Sequence, residues 1–191
     1  MIHVAFIGID GSGKSSLSAV VAQELERQGV QTKVIHMKKN NNEVILNLEK
    51  MNPSIVSEEM KLLGYTFDLL SQYIDTSHMN EEVIVWDRYS YCLKAYFSEL
   101  NIVLPWQQKM LLAMEKPDLT FLLDIDSQTA VKRILKGNRL LKPLENEQYL
   151  GSVREHYLKL HRENDFILMD AHKPLHILRD EVLRRLYGCM R

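Results

Sequence analysis

Two cysteines, Cys92 and Cys189, are all that the sequence carries. They are too few and too far apart for a disulfide framework, and neither they nor the histidines show the spacing of a metal site. A formal net charge of −1 gives no bulk field to hold a nucleic-acid polymer or a membrane surface. Apolar runs fall far short of a membrane span. The first residues enter a strand with no basic segment ahead of them, so no signal peptide is expected and the expected location is cytoplasmic. Repeats, low-complexity tracts and composition shifts are also missing. With 191 residues, 46% of them hydrophobic, the chain reads as one globular domain over residues 1–191.

What is present centres on residues 8–15. Gly8-Ile9-Asp10-Gly11-Ser12-Gly13-Lys14-Ser15 fits G-x-x-x-x-G-K-[ST] at every fixed position. Ile2 to Ile7 ahead of it is an apolar strand-type run. Ser16 to Gln28 behind it carries Leu17, Val20, Val21 and Leu25 at helical spacing. Strand, glycine loop and helix form the context that makes a pattern match a phosphate site. Gly8, Gly11 and Gly13 permit a tight turn that aims several N–H groups at one centre, and the helix N-terminus adds partial positive charge. Lys14 is placed to reach the β- and γ-phosphates of a nucleoside triphosphate, and the Ser15 hydroxyl to ligate Mg²⁺, with Ser12 and Ser16 completing the donor set. The plain alternative is a glycine turn that binds nothing.

The remaining chain alternates strands and helices. Strands are expected at 32–37, 83–86, 119–123 and 166–169. Helices are expected at about 13–28, 43–51, from Ser54 or Ser57 through Ile74, 89–100, 105–114, 127–136, 144–161 and 174–187. Val83-Ile84-Val85-Trp86 is apolar throughout, which suits a strand buried on both faces. Five such strands predict an α/β fold: a five-stranded parallel sheet with helices on both faces, of the P-loop NTPase kind.

Other residues carry chemistry. Asp87 closes the third strand, where it can face Mg²⁺ or cap the next helix. Arg88 is suited to clamp a phosphate, or to form a surface ion pair. Asp10 lies inside the phosphate loop, where a carboxylate needs a task such as holding a sugar hydroxyl; otherwise it only supports the loop. Arg133, Lys136, Arg139 and Lys142 set four cations around Gly137, a basic lid around 136–143 that would close over the moving phosphoryl group and exclude water. A solvated helix end is the alternative. Lys38 and Lys39 either greet an acceptor phosphate or sit in a solvated loop. Asp124 and Asp126 read as helix caps, Trp86 and Trp106 as core or rim.

Together these residues resemble the thymidylate kinase family of nucleoside monophosphate kinases over most of the chain. The glycine loop with its Asp10 is similar to that family's G-x-D-G-x-G-K-[ST], Asp87-Arg88-Tyr89 with Ala95-Tyr96 to its D-R-Y and trailing A-Y, and Pro117 to Asp124 to its P-D-L-T strand. The segment Arg154 to Leu160 and Asp170-Ala171 resemble its last helices and strand end. The resemblance implies ATP as donor and Mg²⁺ held by Ser15 and Asp87. It implies Lys14 on the donor phosphates and Arg88 on the acceptor phosphate. It places Asp10 and Tyr96 at the acceptor, Arg133 and Ala171 beside adenine, and makes a homodimer an expectation. Gly11, where some members carry arginine, resembles the form that brings its catalytic arginine from the lid; Arg139 is the first choice, Lys136 the next.

Departures fall on the acceptor side. Lys38-Lys39-Asn40 replaces an R-E-P turn, and Phe67-Asp68-Leu69 stands where A-D-R is expected, so that a gripping arginine is Leu69. Cys92 and Phe97 replace polar positions. Lys38, Phe67, Asp68, Arg88 and Tyr96 remain the candidate acceptor contacts, in a pocket expected to be altered. The reading is a phosphotransferase that converts a nucleoside monophosphate to the diphosphate. One alternative is a P-loop kinase of another small metabolite, with Asp10 or Asp68 as base for a hydroxyl acceptor. Another is a nucleotide-dependent regulator, although there is no N-K-x-D motif and no D-x-x-G after the third strand, where Asp87 is followed by Arg88-Tyr89-Ser90. Arg139→Ala is expected to lower kcat more than donor affinity in steady-state kinetics; an unchanged kcat would move the lid role elsewhere.

Overall fold

The apolar run before the glycine loop forms the middle of the sheet. β1 (Ile2–Ile7) lies between β3 (Val83–Asp87) and β4 (Leu119–Asp124), with β2 (Thr32–His36) outside β3 and β5 (Ile167–Asp170) outside β4, an order of β2-β3-β1-β4-β5. Every pairing is parallel. The computed structural model describes residues 1–37, 56–137, 140–141 and 144–190. Expectations that concern Lys38, Lys39, the helix at 43–51, Ser54, Arg139 and Lys142 lie outside the described residues.

Seven helices cover the sheet among the described residues: α1 (Lys14–Arg27), α2 (Glu58–Thr76), α3 (Ser90–Glu99), α4 (Pro105–Leu111), α5 (Ser127–Lys136), α6 (Glu147–Glu163) and α7 (Leu175–Cys189). Periodicity dictates how α1 packs: Leu17, Val21 and Leu25 are fully buried, while Val20 packs at the edge of the core. All five residues of β3 are buried: the apolar run Val83 to Trp86, as a strand covered on both faces requires, and Asp87 at its end. Trp86 is wholly interior, edge-on to Tyr89. Its indole N–H donates to His3 Nδ1 at 3.1 Å.

Local chemistry fixed several boundaries differently from the sequence pattern. Ser57 caps α2, its hydroxyl accepting the Met60 N–H, with Glu58 and Glu59 in the first turn favoured by the helix dipole. α4 ends at Leu111 and not Met114, because the Ala113 and Met114 amides bond three residues back and the turn tightens. α6 starts at Glu147, later than expected, because the Asn146 side chain accepts the Tyr149 N–H at 2.8 Å. Asp126 caps α5 as expected, accepting from the Thr129 N–H. Asp124 does not cap it. Arg154 of α6 grips that carboxylate with two hydrogen bonds of 2.6 and 2.8 Å, a paired geometry that outcompetes a single backbone donor.

Truncating a fully buried contact of α1 should cost more than truncating an edge-strand side chain. Leu17→Ala is expected to lower unfolding free energy by about 3 kcal/mol in urea melts, and Leu168→Ala, half exposed on β5, by less than about 1 kcal/mol. Equal losses would contradict the placement of α1 against the sheet.

Candidate active site

The glycine loop joins β1 to α1 at the carboxyl ends of the strands, where ligands of open parallel sheets gather. Gly13 takes φ 98° and caps α1 without any side-chain hydrogen bond, and no acidic residue occupies the first turn. The orphan N–H groups of that turn thus remain for an anion. Gly11, at φ 82°, passes so close to the Ala130 backbone of α5 that a β-carbon there would collide with it. The loop is therefore wedged between β1 and α5.

Lys14 is 4% exposed. Its ammonium donates to the Ile9 carbonyl at 2.7 Å and to Ser12 Oγ at 3.3 Å. Burial, then the neighbouring Arg88 charge, pull its pKa down to about 8, against the opposing pull of Asp10 and Asp87. Arg88 itself adopts φ 79°, a left-handed backbone that is strained for a side chain of this size and concentrates at functional positions. Its N–H donates to the Phe6 carbonyl at 3.0 Å, prolonging the pairing of β3 with β1. The guanidinium pairs with Asp10 and lies over the Tyr96 ring, 5.6 Å from its centroid. Burial works against this charge, but Asp10 holds it and raises the pKa well above the ordinary value.

Asp10 is engaged on several sides. Tyr96 Oη accepts the Asp10 N–H at 2.8 Å and donates to Oδ2 at 3.0 Å, while Arg88 bonds Oδ1. Asp87, 6% exposed, accepts the Ser15 hydroxyl at 2.6 Å on Oδ2, and its Oδ1 is buried with no partner. Burial opposes its ionisation, yet Ser15, Lys14 and His36 together lower its pKa. The Ser15 hydroxyl sits on one oxygen of a carboxylate whose other oxygen is buried without a partner, a set of hard oxygens suited to Mg²⁺, so the residues present fit that ion.

On the far side of the loop, Arg133 of α5 donates to the Ala171 carbonyl at 2.9 Å. Both line, with residues 10–16 and Arg88, a cavity of about 570 Å³. Gly8, at φ 139°, turns the chain out of β1 into the loop and does not itself line the cavity. The glycine loop, Asp10, Lys14, Ser15, Asp87, Arg88, Tyr96, Arg133 and Ala171 are thus brought together. Phe67 and Asp68 line no part of this cavity; Phe67 is half exposed on α2. Cys92 and Phe97 are buried, and Phe97 borders a second, apolar cavity of about 490 Å³ between α3 and α4.

Sequence reasoning missed His36, whose Nδ1 lies 2.8 Å from Asp87 Oδ2. It missed Leu175, Leu178 and Lys173 at the start of α7. It also missed His172, which bridges Asp170 and Asp126 at 2.9 and 2.8 Å. A position at the carboxyl end of a strand was the available signal for His36, the same one that marked Asp87.

Residues 6–182 match the family model described as Thymidylate kinase. The chain belongs to the thymidylate kinase family. This makes it a nucleotide phosphotransferase, of the nucleoside monophosphate kinase kind. Relatives in the thymidylate kinase family include a probable thymidylate kinase of Sulfolobus acidocaldarius, 30% identical over 198 residues, covering 98% of this chain and 97% of that one. Another from Sulfurisphaera tokodaii is 29% identical, with 95% and 93% covered. A solved structure of deoxyadenosine kinase from M. mycoides, with products dCMP and a flexible dCDP bound, superposes with a TM-score of 0.73 at 18% identity, covering 98% of this chain and all of that one. At that identity it shares the fold. Among the described residues no helix is long and apolar enough to cross a membrane.

Because folding buries the Lys14 charge, its replacement separates stability from function. The unfolded chain holds the proton up to the ordinary lysine value, whereas the folded chain releases it near 8. The penalty is therefore complete below pH 8 and fades as pH rises towards 10.5. Lys14→Met is expected to be more stable than wild type at pH 7, by on the order of 2–3 kcal/mol, with the gain shrinking at pH 10, while turnover is lost. Thermal melts at the two pH values check this; a variant less stable at pH 7 would contradict it.

Proposed function

We propose that the chain transfers the γ-phosphoryl group of ATP, bound with Mg²⁺, to the phosphate of a nucleoside monophosphate. The observation that carries this reading is the convergence of the uncapped α1 N-terminus, Lys14, the Ser15–Asp87 pair and Arg88 on one cleft. The loop amides and Lys14 hold the β- and γ-phosphates of the donor, and Arg133 with the Ala171 loop flanks its base. Ser15 and Asp87 would hold Mg²⁺, which would supply charge neutralisation to the polyphosphate. Arg88 grips the acceptor phosphate in line with the donor. Arg139 of the lid supplies a further cation to the transferred group. An acceptor phosphate is already nucleophilic at neutral pH, so positioning and charge stabilisation suffice.

The bonds to Asp10 favour a phosphate over a hydroxyl acceptor. Arg88 and Tyr96 already occupy both of its oxygens, which makes it a poor general base and a good orienter of a sugar hydroxyl. Leu69 is fully buried, so α2 offers no cation there, and acceptor choice falls to other side chains. The family's name puts thymidylate first among the acceptors to be tried. On the outer side of α2, Met60, Phe67 and Ile74 stand exposed at seven-residue intervals, a stripe that suits a second copy of the chain in a homodimer.

A coupled ADP-release assay over the ribo- and deoxynucleoside monophosphates tests the function. One of them is expected to accelerate turnover well above the acceptor-free rate, and Asp87→Ala to lower that rate by about 10²-fold or more. No acceleration by any monophosphate, or full activity in Asp87→Ala, would overturn the reading.

A further inference from the structure

The carboxyl ends of β2 and β3 lie side by side, and their parallel register sets His36 beside Asp87. Register partners project to the same face of a sheet, so the imidazole neighbours the carboxylate through backbone pairing as well as side-chain placement. His36 Nδ1 is 2.8 Å from Asp87 Oδ2, the oxygen that also accepts the Ser15 hydroxyl at 2.6 Å. The other oxygen, Oδ1, is buried and has no partner. Two donors on one oxygen, approaching from α1 and from β2, stop the carboxylate from rotating about its terminal bond. Phe6 on the opposite flank of Asp87 carries no polar group to do this.

We infer that His36 is a positioning residue for the metal-holding carboxylate: its Nδ1–H on Asp87 Oδ2 fixes the rotation of the carboxylate and so keeps Oδ1, which meets no donor of the protein, for the cation. This rests on the assignment of Ser15 and Asp87 as the metal pair proposed above. Hydrogen-bond partners of metal ligands orient those ligands, and their loss weakens metal binding by about 10–100-fold. The imidazole side chain is 27% exposed, so its removal opens no core cavity.

Calorimetric titration of the whole chain with ADP, with and without Mg²⁺, tests the inference. The ratio of the two dissociation constants isolates the metal's contribution to nucleotide binding. His36→Leu is expected to reduce that ratio about tenfold while leaving metal-free ADP affinity unchanged. His36→Asn, whose amide N–H can take the place of Nδ1–H, is expected to keep the ratio close to that of wild type. An unchanged ratio in His36→Leu, or an equal loss in both variants, overturns the role of His36. Asp87→Ala separates the two levels. If it lowers the ratio and His36→Leu does not, only the role of His36 fails; if it leaves the ratio unchanged, the metal assignment fails too. Imidazole ¹⁵N shifts of the unaltered protein give a check without substitution. The tautomer with its hydrogen on Nδ1 is expected, and one with a bare Nδ1 would overturn the inference.

Discussion

Two cations, the buried Lys14 and the largely enclosed Arg88, lie within each other's field at the carboxyl ends of β1 and β3, and the rest of the site is arranged around that unfavourable pair. Each is held by a carboxylate network: Arg88 by Asp10, and Lys14 by its loop carbonyl within the field of Asp10 and Asp87. Burying a charge costs several kcal/mol unless partners offset it, and removing one partner leaves the other stranded. The same pocket leaves the α1 N-terminus without a cap and one Asp87 oxygen without a partner. In the function proposed above, an incoming polyphosphate with its cation meets each of these costs. Local strain agrees, since Arg88 takes a left-handed backbone that the surrounding pairing enforces.

The sheet delivers this geometry through register. Phe6, Asp87 and His36 form one row across β1, β3 and β2, so three separate stretches of chain meet where the strands end. β4 and β5 carry the other wall: the Ala171 N–H donates to the Asp124 carbonyl at 2.9 Å, Arg154 grips the Asp124 side chain, and Arg133 reaches the Ala171 carbonyl. The cavity beside the glycine loop is thus framed by strand ends and helix starts, elements stiff enough to hold side chains in place.

Much of this was legible in the linear sequence, because the signals are local. Strand, glycine loop and helix follow one another without interruption, and the apolar β3 ends on Asp87. Arg133 and Ala171 entered through family likeness, and the structure joins them by a hydrogen bond. What was not legible depends on contacts across strands or between helices. A strand-end position marks His36 as a candidate, but only the pairing of β2 with β3 says that it meets Asp87. Asp124 was read as a cap because short acidic residues before helices usually are, yet a guanidinium thirty residues on competes better. Phe67 enters through the resemblance, in the segment that stands where A-D-R is expected, but the helical phase turns it outwards with Met60 and Ile74.

The claim that the buried Lys14 awaits a phosphate tail is tested most directly by its own titration. Following the lysine side chain by NMR in the free protein should give a midpoint of about 8, and adding ADP with Mg²⁺ should drive that midpoint upwards, since bound phosphates favour the charged form. An ordinary lysine midpoint in the free protein, or a midpoint that the nucleotide leaves unmoved, would contradict the account.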